Sequence, residues 1–348
     1  MKNILTISKQ EFLECLGISD GYVYHQVLGF ISNGKSYDEM SSISKVHRQK
    51  LKEEIEGIPA SIKQVQFSKD GTKKYLFELT DGNLIEAVYM KNSYGNTICL
   101  STQVGCRMGC KFCASTIGGK VRDLHYSEMI AQVILLNKDN GGNAKNKVIK
   151  NIVLMGIGEP LDNYDNVISF ILGITGDKLS FQFSKRSISI STCGLVDKIK
   201  TLMSEKMPIN LCISLHAPLD SIRSQIMPIN NKYSVGDILN ACEEYYKATK
   251  RQIIFEYVMI RGINDTPECF DEIVKISKRM DCHFNFIILN QVKESKYVGT
   301  SKALVYNFVD KLKKSGVNAT VRRSFGSDID GACGQLRRNV LELEKWRV

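Results

Sequence analysis

The chain has 348 residues, 43% of them hydrophobic, enough for one large α/β domain and a small appendage. No apolar run reaches the ~18 residues that a membrane-spanning helix needs. The opening MKNILTISKQEF lacks the apolar stretch and cleavage site of a signal peptide, so a cytoplasmic protein without membrane contact is expected. Forty-seven Lys and Arg against 37 Asp and Glu leave a net charge of +10, which permits a nucleic-acid partner without demanding one.

Residues 1–58 read as helices. Ser8 with Glu11 three residues on has the form of a capping box, and 44–56 is a charged amphipathic run stopped by Gly57. Strands are expected at 62–67, 73–80 and 84–90, joined by hairpin turns at Asp70-Gly71 and Asp81-Gly82. This makes 59–95 a β-hairpin segment connecting the N-terminal helices to the remainder of the chain. From residue 96 the rhythm changes. Strands at 97–104, 151–155, 187–191, 210–215, 253–260 and 284–289 alternate with helical patterns such as 127–136, 167–172, 235–248 and 269–280. Six β-α units in succession imply a parallel sheet, either open and doubly wound or a partial barrel. In both, ligands gather at the carboxyl ends of the strands. The core is assigned to 96–320 and a terminal segment to 321–348. Basic residues cluster at 45–52 (KVHRQKLK), at 311–314, and at Arg322, Arg323, Arg337 and Arg338; solvated helix faces explain the first two.

Eleven cysteines in a cytosolic chain do not suggest a permanent disulfide framework, because that compartment keeps thiols reduced. Cys193, Cys212 and Cys242 lie in apolar or helical contexts and read as small buried hydrophobes; Cys15, Cys269 and Cys282 carry no signal. The run Cys106-Arg-Met-Gly-Cys110-Lys-Phe-Cys113 is different. Three thiolates within eight residues repel one another unless a cation gathers them. Tetrahedral zinc needs a fourth Cys or His at recognisable spacing, and the next His downstream, His125, opens a helix. An iron–sulfur cluster held by three cysteines instead leaves one iron open. The amino and carboxylate groups of S-adenosylmethionine can bind there, and an electron passed into the sulfonium breaks a carbon–sulfur bond to free a 5′-deoxyadenosyl radical. Phe112 before the last cysteine, and a strand before the first, favour this reading.

Polar residues recur where the strands end. Gly156-Ile-Gly158-Glu159-Pro160 closes the second core strand, where glycine lets a ligand approach the backbone and Glu159 can accept from an ammonium. Ser191-Thr192, Ser214-Leu215-His216 and Asn290 close the third, fourth and sixth. Singly, each fits an ordinary β-α turn, and His216 a structural histidine. Together they read as a cofactor pocket.

The segments CLSTQVGCRMGCKFCAS, MGIGEPLDN, ISIST, ISLHAP, RSQIMPIN and GSDIDGACGQLRR resemble the RlmN/Cfr family of radical S-adenosylmethionine RNA methyltransferases. The resemblance covers nearly the whole chain, with Gly331 a small departure from the usual DIDAACGQL. It implies a partial (β/α)6 radical SAM barrel, a 4Fe–4S cluster on Cys106, Cys110 and Cys113, and two molecules of S-adenosylmethionine per turnover. The first methylates a cysteine matching Cys333. The second is cleaved, its radical takes a hydrogen from the S-methyl group, and the resulting carbon radical adds to adenine. A base matching Glu86 removes a proton, and a cysteine matching Cys99 frees the product by forming a transient disulfide with Cys333. The implied partners are 23S ribosomal RNA, tRNA and an electron donor such as flavodoxin or ferredoxin, with the chain a monomer and 1–58 an RNA-binding accessory domain.

The residues themselves are compatible with these roles. Cys333 lies in a Gly-rich segment suited to a thiol that visits two partners. Glu86 stands among Leu84, Val88 and Met90, either as an anomaly at a sheet edge or as a carboxylate tuned by desolvation. Cys99 alone would read as core. Glu159-Pro160-Leu161 resembles the carbon 2 pattern, against methylation at carbon 8. A zinc-structured RNA-binding protein and a radical enzyme acting on a small molecule are the alternatives outside the family.

Overall fold

The fold is that of a computed structural model describing residues 2–289, 295–329 and 334–345. Its N-terminal part contains β1 (Lys2–Asn3), α1 (Lys9–Leu16), α2 (Gly21–Ser32), α3 (Lys45–Glu54) and β2 (Ile55–Glu56). The capping box forms as the sequence indicates: Ser8 Oγ accepts from the Glu11 amide at 3.2 Å and Glu11 Oε2 from the Ser8 amide at 3.1 Å. The helix expected over 44–56 ends earlier. Ile55 is buried and extended, and β2 pairs in parallel with β1, where Asn3 donates to Glu56 and to the Gly57 carbonyl. A buried β-branched residue with a strand partner outweighs helical periodicity.

The strands are β3 (Ala60–Phe67), β4 (Lys73–Leu79), β5 (Leu84–Met90), β6 (Asn96–Leu100), β7 (Gln103–Gly105), β8 (Lys120–Asp123), β9 (Ile149–Leu154), β10 (Ile188–Thr192), β11 (Asn210–Ser214), β12 (Ile253–Met259), β13 (Cys282–Ile288) and β14 (Ala319–Val321). The helices are α4 (Tyr126–Asp139), α5 (Tyr164–Thr175), α6 (Val196–Ser204), α7 (Asp220–Ile226), α8 (Val235–Thr249), α9 (Pro267–Ser277), α10 (Lys302–Lys314) and α11 (Gln335–Lys345). Ten strands form one sheet in the order β14-β13-β12-β11-β10-β9-β6-β5-β4-β3. From β6 to β14 the pairs are parallel, and β3, β4 and β5 extend the same sheet antiparallel, with Val88 opposite Cys99. The hairpin strands are thus continuous with the core sheet, and one apolar cluster runs from Ile4 to Ala319. This is the expected α/β partial barrel.

Two differences from the sequence reading bear on function. The strand expected at 97–104 breaks at Ser101–Thr102. Ser101 Oγ donates to the Glu86 carbonyl at 2.6 Å, and its amide donates to Gln132 Oε1 at 3.0 Å. These side-chain bonds replace the ladder, so β7 leaves the sheet and pairs with β8 instead. The other is β14, a three-residue strand after the Gly316 turn, too short for periodicity to show.

Candidate active site

The β7–β8 hairpin carries the cysteine loop. Gly105 has φ +78°, and a Cβ there would lie 2.0 Å from the Gly119 carbonyl oxygen, so only glycine lets the two strands close. The Cys106 amide donates to Gly119 O at 3.1 Å, the Lys111 amide to Ile226 O at 2.9 Å, and Thr116 Oγ1 to Cys113 O at 2.9 Å. Asp162, after β9, pins the loop's base: it accepts from Gln103 Nε2 at 2.9 Å and Lys120 Nζ at 3.0 Å, and pairs with Arg107 inside the cysteine run.

Cys106, Cys110 and Cys113 open into one cavity of about 360 Å³. Burial most of all, opposed by the Met108 amide and aided by the negative charges of Glu159 and Cys113, pushes the Cys106 thiol up to about 12. Cys110 is raised by burial and by the other two thiols. Three thiols facing one cavity, two of them held protonated in the absence of a counter-charge, form a donor set for a cationic group, and an iron–sulfur cluster suits it. Among the described residues, no three His, Cys, Asp or Glu converge closely enough to hold a single metal ion.

The strand ends meet the same cavity. Gly158, Glu159, Ser191, Ser214 and His216 line it, with Ser191 Oγ 3.4 Å from Ser214 Oγ. The two glycines serve the backbone more than ligand access. A Cβ on Gly156 would lie 2.6 Å from the Leu100 carbonyl oxygen, and one on Gly158 would lie 2.7 Å from Gln103 Cβ. Glu159 is buried and latches the next strand: Oε2 accepts from the Cys193 amide at 2.7 Å and Oε1 from the Leu161 amide at 3.0 Å. Burial raises its pKa, partly offset by these amides. His216 sits at φ +56°, accepts at Nδ1 from the Val258 amide at 3.0 Å, and meets the edge of Phe112 at 5.0 Å between centroids. The Nδ1 bond assigns the proton to Nε2, and burial, then Arg223, holds its pKa at about 3, so the ring is neutral. Leu215 is fully buried and is not part of the cavity wall; its carbonyl accepts from Arg223 Nε.

Val88, Met90 and Cys99 form the wall contributed by β5 and β6. Glu86 is not on it. Its carboxylate pairs with Lys74 Nζ at 3.0 Å and accepts from the amides of Gly334 at 2.8 Å and Arg337 at 2.6 Å, capping α11. A Cβ on Gly334 would lie 2.8 Å from the Ser115 amide nitrogen, and Ser115 lines the cavity. The backbone just after position 333 therefore packs against the cysteine loop. Cys333 and Asn290 lie outside the described residues.

Residues 100–276 match the Radical SAM superfamily. The chain is 49% identical over 308 residues to a protein of Lachnospira eligens, covering 88% of this chain and 86% of that one, named "Probable dual-specificity RNA methyltransferase RlmN". A Clostridium novyi protein of the same name is 47% identical over 98% of this chain and 99% of its own. The chain belongs to the RlmN family of radical SAM RNA methyltransferases. A crystal structure of a radical SAM methyltransferase from Sphaerobacter thermophilus is similar throughout, with a TM-score of 0.90 and 33% identity over 96% of this chain and 99% of that one. Membership brings a 4Fe–4S cluster, S-adenosylmethionine and RNA as substrate class.

Within this RlmN-type cavity are residues that sequence reasoning missed. Cys212 and Cys242 are core residues as expected, but Cys193 lines the cavity. Glu256 does too; it accepts from Asn285 Nδ2 at 3.1 Å and lies 3.6 Å from Arg322 Nη1. A lone carboxylate inside the apolar strand IIFEYVM was the available signal. Arg322 and Arg323, noted only as a basic pair, form part of the wall.

Proposed function

We propose that the chain methylates carbon 2 of an adenine in 23S ribosomal RNA and of an adenine in tRNA, with Cys333 carrying the methyl group. One arrangement supports this reading above all. Three thiols and Cys99 share a cavity, and the backbone following Cys333 is packed onto Ser115 of the same wall. A 4Fe–4S cluster on Cys106, Cys110 and Cys113 supplies, when bound, the one-electron cleavage of a sulfonium nucleoside. Gly158, Glu159, Ser191, Ser214, His216 and Asn290 are the residues assigned to hold that nucleoside, with the neutral His216 as a hydrogen-bond donor, while Leu215 braces the wall from behind through its backbone. Two molecules are used per turnover, one methylating Cys333.

Once the Cys333 methylene is joined to carbon 2 of the adenine, Cys99 attacks the Cys333 sulfur; the sulfur–carbon bond breaks, its electron pair takes up a proton to complete the methyl group, and the disulfide forms as the methylated base leaves. Glu86 takes the proton lost by the adenine. Its carboxylate is engaged by Lys74 and by the first turn of α11, so this role requires that turn to release it. Helical residues 1–58 form the RNA-binding unit, 59–95 join it to the 96–320 core, and 321–348 form the carrier segment. Phosphates are held by basic side chains and the target base is unstacked into the cavity. The chain works as a cytoplasmic monomer with a flavodoxin or ferredoxin as donor; no described helix is long and apolar enough to cross a membrane.

The test is anaerobic reconstitution, then assay on 23S RNA and tRNA in parallel with nucleoside mass spectrometry. The expected product is 2-methyladenosine from both. Only 8-methyladenosine would reject the carbon assignment, and methylation retained by Cys333→Ala would reject the carrier.

A further inference from the structure

Arg223 is the largest fully buried side chain among the described residues, at 0% exposure. It lies on α7, behind the cavity wall that Ser214 and Cys193 form. Its Nε donates to Leu215 O at 3.0 Å, Nη1 to Asn230 Oδ1 at 3.0 Å, and Nη2 to Cys193 O at 2.6 Å and Ser214 O at 3.2 Å. All four acceptors are neutral. The fork thereby ties together the carboxyl ends of β10 and β11, and the Cys193 peptide is held from both sides, since its amide donates to Glu159 at 2.7 Å. Negative charge reaches the guanidinium indirectly. Asp220 connects through Asn230, whose Nδ2 donates to Asp220 Oδ1 at 2.8 Å, and Glu159 connects through the Cys193 peptide.

A guanidinium bonded only to neutral oxygens is an expensive thing to bury. Packing does not require a charge here, because the acceptors are carbonyls that a neutral donor could serve. On the far side of the wall stands the thiol set of Cys106, Cys110 and Cys113. Arg223 stands directly behind that wall: its Nη2 holds the carbonyls of Cys193 and Ser214, and both residues line the cavity that the three thiols share. Three thiolates around a 4Fe–4S core carry net negative charge, and one-electron reduction adds another unit. A fixed cation screened from water favours the reduced form.

We propose that Arg223 is the buried counter-charge of the cluster, a positioning residue that fixes the ends of β10 and β11 and raises the cluster's reduction potential. The inference rests on the assignment of the three cysteines as cluster ligands. Arg223 touches neither substrate nor reacting atoms; it acts through the cluster. Asp220 opposes it, because its charge partly cancels the guanidinium's field.

The test is an anaerobic redox titration with dithionite and mediators, followed by electron paramagnetic resonance, on reconstituted full-length protein. Arg223→Met and Asp220→Asn are compared with the unsubstituted chain, with iron and sulfide measured first. An iron-free unsubstituted protein defeats the ligand assignment itself. With clusters loaded, Arg223→Met is expected to shift the midpoint negative, and Asp220→Asn to shift it positive, since asparagine still accepts from Asn230 and from the Val235 amide. A purely structural role moves neither in this opposed way. Unchanged midpoints in both variants overturn the proposal. If Arg223→Met loads no iron, Asp220→Asn decides alone: a midpoint at or below that of the unsubstituted protein overturns it.

Discussion

Lys74→Met removes one half of a buried ion pair, and its consequence can be worked from the structure. Lys74 and Glu86 have side-chain exposures of 1% and 4% and are 3.0 Å apart. Breaking such a pair from one side leaves an uncompensated charge and costs about 3–5 kcal/mol. Glu86 keeps two amide donors at the start of α11, and a helix N-terminus offsets about 1 kcal/mol of that. The remainder, about 2–4 kcal/mol, falls on the seat of the carrier segment, because Glu86 is what caps α11. Hydrogen exchange at 334–341 reads this directly. Protection should fall roughly thirty- to seven-hundred-fold, at a tenfold change per 1.4 kcal/mol. Adding Glu86→Gln to Lys74→Met should restore much of it, since the orphan charge is then gone. Unchanged protection in Lys74→Met would show that the pair does not secure α11, and so would a double variant that exchanges faster than the single one.

Two further expectations concern the site. Asp162→Asn removes the charge on which Arg107 and Lys120 converge and sets an amide against Gln103 Nε2. Iron retained after desalting should fall several-fold while the far-ultraviolet circular dichroism stays native; full retention would mean that Asp162 does not pin the cysteine loop. His216 has a folded pKa of about 3 against ~6.5 unfolded. Its native state refuses a proton that the unfolded chain accepts, so its stability contribution is complete above ~6.5 and lost as the pH falls toward 3. Between pH 6.5 and 5, urea unfolding of the apoprotein should lose up to ~2 kcal/mol that His216→Gln does not lose; equal losses in both would contradict a neutral buried ring.

How much of this was legible in the sequence depends on the range of the forces involved. The Ser8–Glu11 capping box, the Asp-Gly turns and the alternation of strands with helices are local, and they appear where expected. The cysteine run was legible because its chemistry lies within eight residues. Residues whose partners are distant were not. Ser101 breaks a strand because Gln132 and the Glu86 carbonyl come to it through space. Ile55 leaves a helix because Lys2 pairs with it. Arg223 was legible only as the first residue of the RSQIMPIN segment; its four acceptors, from β10, β11 and the Asn230 turn, are distant in sequence or meet it only through the fold. Cys193 reads as an inert thiol from its own apolar character, although Ser191-Thr192 just before it mark the strand end at the pocket. Leu215 was grouped with Ser214 and His216 by adjacency, although alternation turns its side chain into the core.

The proposed chemistry stands or falls with Cys106, Cys110 and Cys113 holding an iron–sulfur cluster that cleaves S-adenosylmethionine. The decisive assay is 5′-deoxyadenosine formation by anaerobically reconstituted protein under a low-potential reductant, beside a variant with all three cysteines changed to alanine. About four irons and four sulfides per chain, with reductant-dependent product, are expected in the first, and neither in the second. Cleavage by the alanine variant, or its absence in a fully loaded native chain, would contradict the assignment.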